Sequence, residues 1–506
     1  MTTTPQFSTE IDHLLDMFTQ KNLVFQPDFE NLDPKKHYQY SEDGHENYHR
    51  STESSKKELI LGQKWRRIDE NGSANPIYEK NHSLLQDYLK NYRNRGMDFL
   101  ETIILEILNN GREETDEIEN LPGLRKFFKN STESEQELME KFRIVVEFAL
   151  RAEDLLPERI YRLVDDVMSA SFSQEQCACL LAWMWFDTRK NRSFFEILTS
   201  THPISIEKIK FLLHFFSETW IQMPRGVVSF LRIKSENFME NQFEKLKNSK
   251  KLSEISIRND LLIEETALCT QVDFANKHIG GGVLRLGGVQ EEIRFLMCPE
   301  MMVSMLICDK MEPDEAISIV GAQVYSSYTG YSGKLKWREL QPKDALQNQY
   351  RDKFHRIQTE CLAINAIKFF GHPSRNLGTQ LQEQNIQKEL TKAAVGFAAH
   401  GPDFDGVPIF SGWWGCGAYS GNKPLKFLIQ LMAASIANRP LVMCTFGDSK
   451  IGNRCRQMKK RLEMDGITVG GLYDLLLKVP ILDGAHDEMH VFDEIERILC
   501  ERAGGN

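Results

Sequence analysis

The sequence predicts an α/β protein, a mixed sheet flanked by helices and preceded by an all-helical stretch. Three observations carry that expectation. Apolar residues recur at helical spacing from Leu84 to Trp220. After Met223-Pro-Arg-Gly226 the pattern changes to short runs rich in β-branched and aromatic residues. Helical patterns alternate with those runs, the signature of a mostly parallel or mixed sheet covered on both faces.

With 506 residues, and roughly 150 per domain, the chain has room for two to four domains. The division expected is a polar, variable extension over 1–80, a helical accessory domain over 81–224, and an α/β domain carrying the chemistry over 225–506. From Pro27 to Ser83 few apolar residues are spaced to build a core face, and the stretch reads as loop. Phe99, Ile103, Ile104 and Ile107 share one helix face. Ser173-Gln-Glu-Gln176 fits a capping box ahead of the apolar run Cys177 to Phe186, and Ile206 to Phe216 reads as a buried helix. Strands are expected at Val227–Ile233, Leu261–Ile263, Cys269–Phe274, Ile317–Tyr325, Cys361–Phe369 and Leu441–Phe446. Helices are expected at Leu381–Ala398, Leu425–Ala437, Gly470–Val479 and Asp493–Arg502.

Charge narrows the function classes. Lys plus Arg number 62 and Asp plus Glu 72, a formal net charge of −10. That balance argues against direct nucleic-acid binding through a basic stripe, but not against a polyanion end gripped by backbone amides. Ten cysteines without a paired C-x-x-C give no zinc signature. Neither a secretory signal nor a run of 18 apolar residues is found; Leu425 to Cys444 is interrupted by Lys426, Gln430, Asn438, Arg439 and Pro440. A cytoplasmic protein with reduced thiols is expected, free of membrane contact and monomeric, with the nucleus as a second compartment.

The densest information lies between Gln271 and Phe295. A strand delivers Asp273 and Asn276, then Gly280-Gly281-Gly282 follows, Gly287-Gly288 repeats the device, and Gln290 opens a helix. Consecutive glycines permit positive φ and a close backbone approach, and free amides at a helix start favour an anion such as phosphate. A glycine-rich turn is equally often structural. The spacing fits neither a Walker A loop nor a dinucleotide fingerprint. Glu291 and Glu292 beside the glycines point to glycoside chemistry, with one carboxyl protonating a leaving oxygen and the other gripping a hydroxyl. Adjacent residues point differently and do not make the opposed pair of an ordinary glycosidase. The acid role requires one of the two carboxyls to keep its proton near neutral pH, favoured by desolvation and by the neighbouring carboxylate.

These residues resemble the poly(ADP-ribose) glycohydrolase family. G-G-G, seven residues and then Q-E-E is that family's signature, with V-D-F-A-N just before it. Tyr325-Ser-Ser-Tyr-Thr-Gly-Tyr331, Trp414-Gly-Cys-Gly-Ala-Tyr-Ser-Gly421 and Thr445-Phe-Gly-Asp448 follow in order, and Ser171 to Ala182 resembles the helical accessory domain. The resemblance covers roughly residues 155 to 480. It implies a macrodomain-like fold, hydrolysis of the ribose–ribose bonds of poly(ADP-ribose) on modified proteins, and neither metal nor cofactor. It also implies that Glu292 is the general acid and then the base, that Glu291 and Asn276 hold ribose hydroxyls, and that Asp273 braces the loop. Gly280, Gly281 and Gly282, with Gln290 at the helix start and the second loop of Gly415, Cys416, Gly417, Ala418 and Tyr419, would wrap the diphosphate. Tyr331 would lie over the ligand, Phe446 would stack on adenine, and Ile263 and Glu264 would meet the adenine edge.

Two places depart from the family. Trp413 stands where the family has Asn, and Arg285 and Leu286 where small residues are usual; Arg285 either contacts phosphate or points to solvent. Other features have ordinary readings. His486 and His490 are not a metal pair, Cys416 and Cys444 are small packing residues, and Tyr325 and Tyr328 are core aromatics. Lys459-Lys460-Arg461 is a solvated helix face rather than a nuclear signal.

Overall fold

The computed structural model describes residues 38–40, 58–59, 75–112, 116–156, 160–164, 169–352, 355–400, 406–480 and 487–504. Pro76–Asn91, Met97–Asn109, Pro122–Asn130, Glu135–Leu155, Gln174–Trp183 and Pro203–Ile221 form the main helices of the helical stretch. Each bears the signals that start a helix. Asn75 caps the first, Ser134 and Glu137 form a capping box on the fourth, and Ser173 and Gln176 form the expected one on the fifth.

The stretch is not uniformly helical, however. Ile160–Tyr161 and Ser169–Ser173 are strands. Tyr38–Tyr40 and Glu58–Leu59 are strands too, within a segment expected to be loop; the rest of that segment up to residue 74 lies outside the described residues. Strands of two to five residues carry too little periodicity to read, and their partners supply the order.

Among the described residues, nine strands form one sheet. Its order is Tyr38–Tyr40, Ser169–Ser173, Val227–Lys234, Glu315–Val320, Glu360–Asn365, Thr270–Ala275, Ile409–Ser411, Leu441–Cys444 and Ile255–Arg258. The first five are joined antiparallel and the last five parallel, Glu360–Asn365 belonging to both sets. Ile263 sits on a 3-10 turn, Ile263–Glu265, rather than a strand, and the run after Ile317 breaks at Val320 before resuming as Ser326–Thr329. The C-terminal helices fall close to expectation, at Glu383–Phe397, Lys423–Ile436, Val469–Leu476 and His490–Gly504. Ser449–Met464 is helical and carries the basic run, whose Lys459 is buried against Glu463 while Lys460 is exposed.

Side chains alternate across the sheet with the strand period of two. Ile317, Ile319, Cys361 and Ala363 join one hydrophobic core, while Ala316, Leu362 and Ile364 join a second with the C-terminal helices. The first core also contains Phe142, Trp185, Phe215 and Phe216, so the helical stretch and the sheet share one apolar interior. No helix among the described residues is long and apolar enough to cross a membrane.

Candidate active site

In the parallel half, the chain leaves Thr270–Ala275 toward one edge of the sheet and Ile409–Ser411 toward the other. Their C-terminal ends therefore frame a crevice at a topological switch point, where ligands of open α/β sheets bind. The glycine loop after residue 275 and the second glycine loop after residue 411 are its walls.

Gln290 latches the first wall in place. Its Oε1 accepts from the Phe274 N–H at 2.8 Å, and its Nε2 donates to the Val272 carbonyl at 3.2 Å. Both ends of this amide are thus spent on the strand. Gly280 and Gly281 have φ of +85° and +51°, values that favour glycine. A Cβ on Gly281 would also lie 2.5 Å from Glu292 Oε1.

Glu291 and Glu292 begin the helix Gln290–Met297, and both are buried. Glu291 accepts from the Gly280 N–H at 2.7 Å and the Asn276 N–H at 2.8 Å. Glu292 accepts from Gly282 N–H at 2.7 Å and, capping its own helix, from Val289 N–H at 2.9 Å. The bracing expected of Asp273 therefore falls to the two glutamates. Asp273 is buried with no hydrogen-bond partner on either carboxyl oxygen among the described residues. Burial, then the neighbouring Glu292, pushes its pKa well above the usual carboxylate range; burial, Asp273 and Glu292 do the same to Glu291. Burial and mutual repulsion thus both disfavour the charged forms of Asp273 and Glu291.

The second loop faces them. Asn276 Nδ2 donates to Tyr419 Oη at 3.0 Å, which closes the crevice across its mouth. Gly415 and Ser420 both take positive φ, while Gly417 and Ala418 are exposed at the tip and Cys416 is half-buried. Beneath the loop, buried Lys426 pairs with buried Glu389, and its Nζ lies 4.0 Å from the Trp414 ring centroid. Trp413 is buried, its indole N–H donating to the Thr445 carbonyl at 3.3 Å, so the ring packs inward.

At the far end, Phe446 follows the Leu441–Cys444 strand with a φ of +51° and 44% exposure. A bulky residue held in that region is a constraint that folding alone does not ask for. Gly412 leaves room for its ring, since a Cβ there would lie 2.8 Å from it. Ile263 is buried, and the Glu264 carboxyl beside it is raised by burial. Tyr331, 55% exposed, accepts from the Gln290 N–H at 3.3 Å and feels both the Glu292 and Glu264 carboxyls. Arg285 ion-pairs with Glu196 of the helical stretch at 3.2 Å on the solvent-exposed surface, the second of the two places expected for it.

Among the described residues, no group of three His, Cys, Asp or Glu side chains is placed to hold a metal; His486 lies outside them, and His490 meets the Pro480 carbonyl.

Comparison with known proteins agrees with this geometry. The macro-domain-fold model of poly(ADP-ribose) glycohydrolase matches residues 242–453, and the family's helical-domain model matches 107–232. Poly(ADP-ribose) glycohydrolase 2 of Caenorhabditis elegans is 43% identical over 483 residues, covering 94% of this chain and 96% of that protein. The chain belongs to the poly(ADP-ribose) glycohydrolase family. Poly(ADP-ribose) glycohydrolase 1 of the same organism is 43% identical over 97% of this chain, which spans 64% of that longer protein. Poly(ADP-ribose) glycohydrolase 1 of Arabidopsis thaliana is 28% identical over 382 residues.

For a poly(ADP-ribose) glycohydrolase family member, two further residues matter whose place in the site the sequence reading passed over, Tyr328 having been expected only as a core aromatic. Tyr328 is half-buried, and its hydroxyl donates to Glu264 Oε1 at 2.5 Å. Its place three residues before Tyr331 was the available signal. Tyr325 is a core aromatic as expected, donating to buried Glu300 at 2.6 Å. Lys208, from the helical stretch, is the second residue passed over; nothing in its local sequence marks it.

Proposed function

We propose that this chain hydrolyses the ribose–ribose O-glycosidic bonds of poly(ADP-ribose), releasing ADP-ribose from the free end and leaving the last protein-linked unit. The observation that carries this reading is the buried trio of Asp273, Glu291 and Glu292 at the mouth of the glycine loop. Glu292, tied to two backbone amides, donates a proton to the leaving oxygen as the sugar acquires oxocarbenium character. The resulting carboxylate then takes a proton from water as its oxygen bonds to the anomeric carbon. The products are ADP-ribose and a polymer one unit shorter. Glu291 and Asn276 hold the ribose hydroxyls, the glycine loops wrap the diphosphate, and Phe446 and Glu264 receive the adenine.

Digestion of defined-length polymer, with products resolved by length, tests this. Wild-type protein shortens the ladder from its end, while Glu292→Gln binds ADP-ribose but loses about 10²–10⁴-fold in turnover, the usual worth of a general acid. An intact ladder with wild-type protein, or near-normal turnover by the variant, overturns the assignment.

A further inference from the structure

Helix Pro203–Ile221 runs through the helical stretch, yet two successive side chains of its first turns reach the glycine loop and the tyrosine hairpin of the site. Lys208 is fully buried. Its ammonium donates to three carbonyls of the glycine loop, Gly282 at 3.1 Å, Val283 at 2.8 Å and Arg285 at 2.6 Å. An ammonium has three N–H donors, so each finds an acceptor. Gly282 is the residue whose own N–H holds Glu292, so the same residue is gripped by Lys208 on its carbonyl and by Glu292 on its amide.

Glu207, also buried, turns instead to the hairpin that carries Tyr331. Its carboxylate accepts from the Trp337 N–H at 3.0 Å and pairs with Lys336 at 3.3 Å. Trp337 lies on the strand Lys336–Glu339, which pairs antiparallel with Ser326–Thr329; Tyr331 sits in the turn that joins them. One dipeptide of the helical stretch therefore pins both the carboxylate loop and the tyrosine hairpin.

We propose that Lys208 is a positioning residue for the reaction: its ammonium fixes the loop that presents Glu292, while Glu207 sets the hairpin against it. Neither residue touches the reacting atoms. Burial is costly for a lone cation, and it pulls the Lys208 pKa down to about 7, opposed by the nearby Glu292 carboxyl. A buried leucine or methionine would satisfy packing at lower cost. An ammonium belongs there because only a three-donor group holds three converging carbonyls. This assignment rests on the glycohydrolase reading for its kinetic consequence, but the clamp itself is independent of it.

The test compares wild type, Lys208→Ala and Lys208→Met for polymer turnover, ADP-ribose affinity by calorimetry, and amide hydrogen exchange across residues 280–287. The expected result is a kcat lower by roughly 100-fold, the scale of a small misplacement of a catalytic group, with ADP-ribose affinity little changed. Propylammonium in the buffer, which replaces the deleted stem and its ammonium, restores kcat to Lys208→Ala, and propan-1-ol does not. Lys208→Met, which fills the cavity, is equally slow and is not rescued. Amides of the loop exchange faster in both variants. Wild-type turnover together with wild-type exchange in Lys208→Met overturns the proposal, as does a folded Lys208→Ala that propylammonium leaves slow. A wild-type protein that leaves polymer intact sinks the glycohydrolase reading alone, because loop exchange still reports on the clamp.

Discussion

Gly281 and Phe446 both occupy the left-handed region of backbone space, for opposite reasons. Gly281 is there because a side chain has no room: a Cβ would meet the Glu292 carboxylate at 2.5 Å. Gly281→Ala should cost about 1–3 kcal/mol in stability and abolish turnover, since the carboxylates must move; thermal melting and polymer digestion read the two effects. Phe446 is there despite its side chain, which is half in solvent. Phe446→Ala should weaken ADP-ribose binding by about 1–3 kcal/mol, the worth of one base stacked on an aromatic ring, measured by calorimetry, with the melting temperature nearly unchanged. At this scale the sequence was informative about which residues gather. It was less so about what each does before a ligand arrives. Glu291 reads as a hydroxyl ligand from its motif, but its hydrogen bonds go to the Asn276 and Gly280 amides, a division of labour that depends on three-dimensional register.

Between elements, the hairpin of Ser326–Thr329 and Lys336–Glu339 stands against the turn Ile263–Glu265 through one hydroxyl. Tyr328 donates to a Glu264 carboxyl that burial already disfavours as an anion. Tyr328→Phe leaves that carboxyl without its donor, a loss of about 1–3 kcal/mol for a buried polar group. The expected outcome is a higher KM for polymer with kcat little affected, together with a lower melting temperature. Long elements such as Pro203–Ile221 and Lys423–Ile436 were legible because their apolar runs are too long for strands, and both are buried almost all round. Short ones such as Ile255–Arg258 and Ile409–Ser411 were not, since three or four residues show no period and owe their conformation to strands distant in sequence. Lys208 was missed for the same reason: its partners lie more than seventy residues along the chain.

Over the whole molecule, the carboxyl cluster sets a pH dependence of stability. Asp273 has its pKa raised well above the aspartate value in the folded state. At this residue the folded state therefore keeps a proton that the unfolded state releases above about pH 4. Its contribution to stability is fullest below that pH and is lost as pH rises toward the folded pKa. Asp273→Asn removes this term, so its melting temperature should fall less than that of wild type between about pH 5 and pH 8. Equal slopes would mean that the cluster carries no such charge penalty. Glu360 acts in the opposite direction. Burial resists its ionisation, but His400, Arg439 and Ser318 outweigh burial and draw it to about 2, so its contribution is present above the usual glutamate range and lost as pH falls toward 2.

The single apolar interior shared by the helical stretch and the sheet has a consequence for how variation in this chain will be read. Phe142, Trp185 and Phe216 lie far along the sequence from Glu292, yet they belong to the same packed body as Ile293 and Phe295 of its own helix. In a saturation mutational scan scored by turnover, damage at those helical positions will cluster with damage at the carboxylates. A map of loss of function would thus draw the active site wider than the chemistry requires.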